Sequence, residues 1–258
     1  MILKPRPFRK PRKGHWASKG LVGLWLMNEG SGNTVQDLSG NGNVGTLTSG
    51  TWLGGKFGSC LDFAANTGYV NIPDFVEATT GITVITWVQS DVTNYAGTSY
   101  LISKYHTGGF GGWRLYLDGF EQLNFQVFTS GGNSTATSGT ILSDNNWHMV
   151  VGTYDGANIR IYWDGVEVGS AAETGTITNR VEPIMIHGAL TATSSSFDGR
   201  YDATSIYNRA LSPSEIQQLY PEPFCMFDRD EIVLCQSGGA PPVGNAGIMT
   251  CNTGFWGA

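Results

Sequence analysis

Two short runs in the middle of the chain restrict what it can fold into more than any other feature. Asn145-Asn146-Trp147-His148-Met149-Val150-Val151-Gly152-Thr153-Tyr154-Asp155-Gly156 is followed by Ile159-Arg160-Ile161-Tyr162-Trp163-Asp164-Gly165-Val166-Glu167-Val168. Each run alternates apolar with polar residues, and an Asp-Gly follows each. Alternation at period two marks a strand with one wet and one buried face, and Asp-Gly supplies the positive φ of a tight hairpin. The rest of the chain agrees. With 258 residues, 36 Gly and only 14% charged side chains, it reads as short strands separated by frequent turns. That pattern predicts an all-β sandwich or barrel. One helical stretch is expected, near 212–219, where Ser212 is the N-cap, Pro213 the first helical residue and Glu215 completes a capping box.

The words of these runs resemble the core of laminin-G-like, concanavalin-A-like jelly-roll modules. So do the opening Gly23-Leu24-Trp25-Leu26-Met27-Asn28-Glu29-Gly30-Ser31-Gly32 and the loop Asp37-Leu38-Ser39-Gly40-Asn41-Gly42-Asn43-Val44-Gly45-Thr46-Leu47. The strands Gly58-Ser59-Cys60-Leu61-Asp62-Phe63 and Ile82-Thr83-Val84-Ile85-Thr86-Trp87-Val88 follow in family order. The closing element runs from Phe197-Asp198-Gly199 to Ile206-Tyr207-Asn208-Arg209-Ala210-Leu211-Ser212-Pro213-Ser214-Glu215-Ile216. One departure lies in this last element, at Arg200-Tyr201-Asp202-Ala203-Thr204, where the family has an apolar-acidic-acidic-apolar pattern. The resemblance implies a two-sheet antiparallel jelly roll over residues 21–220, with extended arms at 1–20 and 221–258.

The arms differ sharply from the sandwich. Residues 1–20 hold seven of the 15 Lys and Arg residues and no acid, which leaves 8 basic against 21 acidic residues, a charge of −13, in the remainder. Pro5, Pro7 and Pro11 oppose helix, so the segment is an extended arm. Two readings are open: a solvated tail, or an arm that docks through Arg6, Phe8, Arg9, Lys10, Arg12 and Trp16. An acidic protein surface suits it better than nucleic acid does. Met1-Ile2-Leu3 runs straight into Lys4 and Pro5, so no apolar core of a secretory signal forms, and no run approaches the roughly 20 apolar residues of a membrane span. At the other end, a turn-rich Gly238–Gly244 connector leads to Phe255 and Trp256. This tail either folds back over the sandwich or enters a neighbouring subunit. Cys60, Cys225, Cys235 and Cys251 permit three full pairings, among which the sequence does not choose.

No catalytic constellation stands out. Glucanases on this fold place carboxylates at alternate positions of one strand so that acid and nucleophile flank the scissile bond. The nearest acidic cluster here, Asp228-Arg229-Asp230-Glu231, falls outside the jelly roll, and His15, His106, His148 and His187 are dispersed. His148, at the family's Trp-His position, is expected to be structural. The chain is therefore expected not to be an enzyme. Two binding functions remain. Tyr95, Tyr100, His106, Phe110 and Trp113 offer ring platforms for a glycan, although such rings also serve as core packing. Asp37, Asn41 and Asn43 offer hard oxygens for structural calcium, to which the resemblance adds Asp198 and Asp202; the same loop residues also suit Asx turns. The basic arm, the segment Leu219-Tyr220-Pro221-Glu222-Pro223-Phe224-Cys225-Met226-Phe227 and the apolar tail resemble tailed-bacteriophage virion proteins. That resemblance implies a homo-oligomeric display protein on the virion's external surface. It would be anchored to other virion proteins through its termini and able to touch surface glycans. A free extracellular lectin-like module is the rival.

Overall fold

The computed structural model describes residues 4–5, 10–64, 67–75, 80–90, 97–105, 111–141, 144–179, 181–189 and 197–228. Sixteen strands lie among them: β1 (Leu21–Trp25), β2 (Thr34–Val35), β3 (Gly45–Thr48), β4 (Thr51–Gly54), β5 (Ser59–Phe63), β6 (Tyr69–Ile72), β7 (Ile82–Gln89), β8 (Ser99–Lys104), β9 (Trp113–Leu117), β10 (Gln122–Thr129), β11 (Gly132–Ile141), β12 (Trp147–Tyr154), β13 (Asn158–Trp163), β14 (Val166–Ala172), β15 (Ile184–Ile186) and β16 (Gly199–Tyr207). One helix follows, α1 (Pro213–Leu219), and a short 3-10 turn, Trp16–Ser18, precedes β1. The first sheet runs β14-β13-β12-β7-β16-β5-β4, with β1 paired to β16; the second runs β11-β10-β9-β8-β15-β6-β3-β2. Every pairing in both sheets is antiparallel. This is the expected all-β jelly-roll sandwich with one short helix.

The alternation assigns side chains as the period-two rule requires. Ile82, Val84 and Val88 of β7, Val150 and Tyr154 of β12, and Ile159 and Ile161 of β13 enter the core between the sheets. They meet Trp113, Leu115, Leu117, Leu123, Phe125 and Val127 from β9 and β10. Gly152 lets the two sheets come close, because a Cβ there would stand 2.3 Å from Phe125. The expectation of one wet face is corrected for the first sheet. Ile85, Trp87, Met149, Val151 and Tyr162 point away from the inter-sheet core and are buried as well. A second apolar layer covers them, built from Ala17 before the sandwich and from Leu211, Ile216, Leu219, Phe224, Met226 and Phe227 after it.

Local chemistry sets the turns and the helix. Asp164 (φ 49°) and Gly165 (φ 86°) form the two-residue hairpin between Trp163 and Val166, both with the positive φ of a type I′ turn. The Asp155-Gly156 loop is longer, and Asp155 closes it by accepting hydrogen bonds from the amides of Ala157 and Asn158. At α1 the capping box forms as expected: Ser212 Oγ accepts from the Glu215 amide, and Glu215 Oε2 accepts from the Ser212 amide. Glu215 also receives Arg209 through two bonds of 2.8 and 2.9 Å. Arg209 in turn donates to the carbonyls of Lys19 and Trp16. The closing Asn208-Arg209-Ala210-Leu211-Ser212 motif thus joins the helix to the entry of the sandwich.

The described part of the basic arm lies on this chain's own sandwich. The Lys4 amide donates to Phe57, Asn28 donates to the Pro5 carbonyl, and Arg12 reaches Cys225 and Met226. Trp16 is half-buried against the second apolar layer. Arg6, Phe8, Arg9, Phe255 and Trp256 lie outside the described residues, as do Cys235 and Cys251. Cys60 and Cys225 are free thiols, and burial lifts Cys60 to about 11.

Candidate carbohydrate-binding face and cation site

Strand parity builds one polar, aromatic face on the outside of the second sheet. In β9, Trp113, Leu115 and Leu117 turn inward, so Arg114 and Tyr116 turn outward. The β10 partners place Asn124 opposite Tyr116 and Gln126 opposite Arg114. The β11 partners add Thr137, Thr135 and Asn133 opposite Asn124, Gln126 and Phe128. Tyr100 and Tyr105 approach from β8 and the loop after it.

Arg114 organises this face. Its guanidinium lies 4.4 Å from the Tyr116 ring centre, 4.5 Å from Tyr105 and 5.8 Å from Tyr100. It donates to Gln126 Oε1 at 2.7 Å and to the Tyr100 hydroxyl at 3.2 Å. The Gln126 amide then donates to Asn133 Oδ1 at 3.1 Å. Tyr105 stacks on Phe128 at 5.5 Å and on Tyr100 at 6.2 Å. Burial raises the Tyr100 phenol while the Arg114 charge opposes that, so it stays a neutral hydroxyl near pH 7. The product is a fixed cluster in which Tyr100, Tyr116 and Asn124 are buried, Tyr105, Arg114, Gln126 and Thr135 are half-buried, and Asn133 and Thr137 are exposed. The half-buried Tyr105 ring can take the apolar face of a sugar, and the fixed guanidinium and amides of Arg114, Gln126 and Asn133 can take its hydroxyls. The four strands β8 to β11 carry no Asp or Glu.

Of the ring platforms expected from sequence, Tyr100 belongs to this face. Trp113 is corrected: it is fully buried in the inter-sheet core, because it has the opposite parity to Arg114. Tyr95, His106 and Phe110 lie outside the described residues. Sequence reading missed Tyr105, Arg114, Tyr116 and Gln126. The signal was the alternation Trp113-Arg114-Leu115-Tyr116-Leu117, which puts Arg114 and Tyr116 on one face once Trp113 is assigned inward. His148 is structural, as expected. Its two ring nitrogens meet Asp164 Oδ2 at 2.7 Å and Asp144 Oδ1 at 3.0 Å, while Asp164 Oδ1 accepts from the Met149 amide at 2.9 Å.

The expected calcium ligands do not converge. Asp37 accepts the amides of Leu24, Ser39 and Asn43 with its two carboxylate oxygens, which is Asx-turn chemistry. Asn41 and Asn43 turn NH2 groups, not oxygens, toward the Val22 carbonyl. Asp198 enters the network through its backbone carbonyl, which accepts from Ser90 Oγ. Asp202 is fully buried and already holds a cation: Lys4 Nζ lies 2.6 Å from its Oδ1, with the Lys4 side chain only 3% exposed. Among the described residues, no group of three or more His, Cys, Asp or Glu side chains is placed to hold a metal. These five residues therefore do not fit a shared calcium ion.

Comparison with known proteins follows the architecture. A family described as the concanavalin A-like lectin/glucanases superfamily matches residues 64–217. No curated protein matches the chain by sequence. Among solved structures, the binding domain of Paraclostridial Mosquitocidal Protein 1 superposes with a TM-score of 0.64 at 18% identity, over 78% of this chain and 52% of that one. Domain 4 of AbnA, an extracellular arabinanase of Geobacillus stearothermophilus solved with arabinotriose, gives 0.63 at 18% identity, over 78% of this chain and 98% of that domain. Botulinum neurotoxin type C, whose cell entry depends on two ganglioside molecules, gives 0.62 at 14% identity, over 78% and 51%. The chain spans about half the length of the two toxin chains and nearly all of the arabinanase domain.

Proposed function

The chain belongs to the concanavalin A-like lectin/glucanases superfamily, and on that premise we propose that it is a non-catalytic, lectin-like module whose outer face on the second sheet binds carbohydrate. One observation carries this reading: the half-buried Arg114, packed on three tyrosine rings of which Tyr100 and Tyr116 are buried, holds the Gln126 amide and Tyr105 in a single fixed arrangement on the outer side of the second sheet. Preorganised rings and amides lose little freedom on binding. The strands of that face carry no carboxylate, whereas glycoside hydrolysis calls for two of them flanking the bond. The arabinotriose bound by the arabinanase domain and the gangliosides required by the neurotoxin make neutral arabino-oligosaccharides and sialylated glycans the first ligands to try.

The test is calorimetric titration of the full chain with both glycan classes, beside Arg114→Met and Gln126→Ala variants. The expected result is saturable binding by the parent chain, weakened at least tenfold in each variant, with no sugar released over hours. Binding that both variants retain in full would move the site elsewhere. Release of shortened oligosaccharide would make the chain an enzyme.

A second reading places the module on an external assembly such as a virion. It is supported by the exposed Lys10, Lys13 and Lys19 on a chain whose net charge is −6. Because the arm also packs on its own sandwich, charge reversal at Lys10 and Lys13 is a cleaner test than removing residues 1–20. Loss of particle attachment with glycan binding intact supports this reading, and unchanged attachment ends it.

A further inference from the structure

The Lys4 side chain ends where three strands of the first sheet part company. β16 pairs with β5 as far as Tyr201, bulges over Asp202 and Ala203, and pairs with β1 from Thr204 onward. At this bulge Lys4 Nζ lies 2.6 Å from Asp202 Oδ1, and the two side chains are only 3% and 0% exposed. Both partners are held from behind. Nζ donates to the Met27 carbonyl at 3.3 Å and to the Ser59 carbonyl. Asp202 Oδ2 accepts from the Phe57 amide at 3.1 Å, and the Lys56 amide also bonds to this carboxylate. The backbone comes so close that a Cβ on Gly55 would stand 2.5 Å from Oδ2. An ammonium has three N–H groups, and here each has one oxygen. Once one proton passes to Asp202, the two carbonyls occupy the two that remain, and the nitrogen lone pair points at the carboxyl group. Burial disfavours both charges, lowering Lys4 and raising Asp202, while the charge of each partner opposes that trend.

We propose that this pair is the reactant of an intramolecular amide bond, in which Lys4 Nζ becomes joined to Asp202 Cγ and one water leaves. A proton first moves from Nζ to Oδ1, giving a neutral amine and a neutral acid. Nζ then bonds to Cγ, and the C=O electron pair moves onto Oδ2, where the Phe57 and Lys56 amides hold the charge. Oδ1 already carries the first proton, takes a second from Nζ and departs as water. The new amide keeps Oδ2 as its carbonyl oxygen, still bonded to the same backbone amides. Ammonium plus carboxylate gives amide plus water, so the step needs no oxidant and no cofactor. Fixed alignment supplies an effective concentration of roughly 10⁵–10⁸ M that a free amine and acid lack. A buried ion pair is by itself a weak source of stability. The amide bond instead fastens the N-terminal arm to the last strand and closes β1 to β15 inside one covalent ring.

The test is mass spectrometry of the folded full chain, incubated until its mass no longer changes. The expected mass is one water below that of the sequence. Trypsin should release a branched peptide that joins residues 1–9 to residues 201–209, because Lys4 and Arg6 each precede a proline and are not cut. Lys4→Arg keeps a cation beside Asp202 but not the primary amine, and should carry the full mass of its own sequence. Asp-Gly pairs such as Asp198-Gly199 also lose water by closing onto their own backbone, so the branched peptide decides and the mass alone does not. A parent chain at its full sequence mass overturns the proposal, and so does a loss of water without the branched peptide. Both readings come from the parent chain and hold even where Lys4→Arg fails to fold.

Discussion

The two outer faces of the sandwich come from the same strand chemistry and have opposite fates. On the first sheet, Trp87 is enclosed by Phe57 edge-on at 5.1 Å, by Tyr220 stacked at 5.6 Å and by Lys56 Nζ at 4.7 Å. Helix α1 and the segment through Phe227 seal that face. On the second sheet the outward side chains are Arg114, Tyr116, Asn124 and Gln126; Tyr116 and Asn124 are buried in a small aromatic cluster, while Arg114 and Gln126 stay half-exposed, and among the described residues no second layer as large as that of the first sheet covers them. Covering a face requires outward apolar residues and a segment to lie on them, and among the described residues only the first sheet has such a segment. The first face is consequently committed to stability. The second keeps polar groups in fixed positions, which is what recognition needs.

Substitutions separate the two roles. The largest effect is expected from Trp87→Ala on the sealed face, at about 3–5 kcal/mol, because it empties a fully packed ring site. Arg114→Met on the open face should cost under about 1 kcal/mol by the same urea titration. Equal costs at the two positions would erase the distinction drawn here.

A smaller effect is expected where the seal is fastened. The paired hydrogen bonds from Arg209 hold Glu215 at about 2, well below its ordinary value of 4.5. A depressed acid adds stability above its unfolded pKa and loses it as pH falls through the folded value, so this contribution fades between about pH 5 and pH 2. Arg209→Ala should cost about 2 kcal/mol at pH 7, discounted for partial exposure, and should flatten the melting temperature over that window. An unchanged acid slope would show that the pair does not hold the seal.

On the sealed face, the effect is smaller still at the cap itself. Ser212→Ala should cost about 1 kcal/mol, because the Glu215 amide loses its acceptor. Glycan binding on the opposite face should not change. A joint loss of stability and binding would mean that the two faces communicate through the core.

Much of this was legible from the residues. The Ser212-Pro213-Ser214-Glu215 cap and the Asp164-Gly165 hairpin formed as their local chemistry dictates, since both depend on neighbours within a few positions. The candidate face was legible only in part. Tyr100 was identified, but Trp113 was placed on the wrong side, because sequence gives the alternation of a strand without saying which parity faces inward. Arg114 and Gln126 lie 12 residues apart and meet only through the β9–β10 register.

The sequence by itself determined the all-β class, the strand periodicity, the helix cap and the separation of a basic arm from an acidic sandwich. These follow from side-chain period, turn residues and charge, which act over short stretches of chain. Tertiary structure decided which parity became core, that terminal segments would bury one outer face, and that Lys4 would meet Asp202. Each of these joins residues far apart in the chain, and proximity of that kind exists only after the sheets have closed.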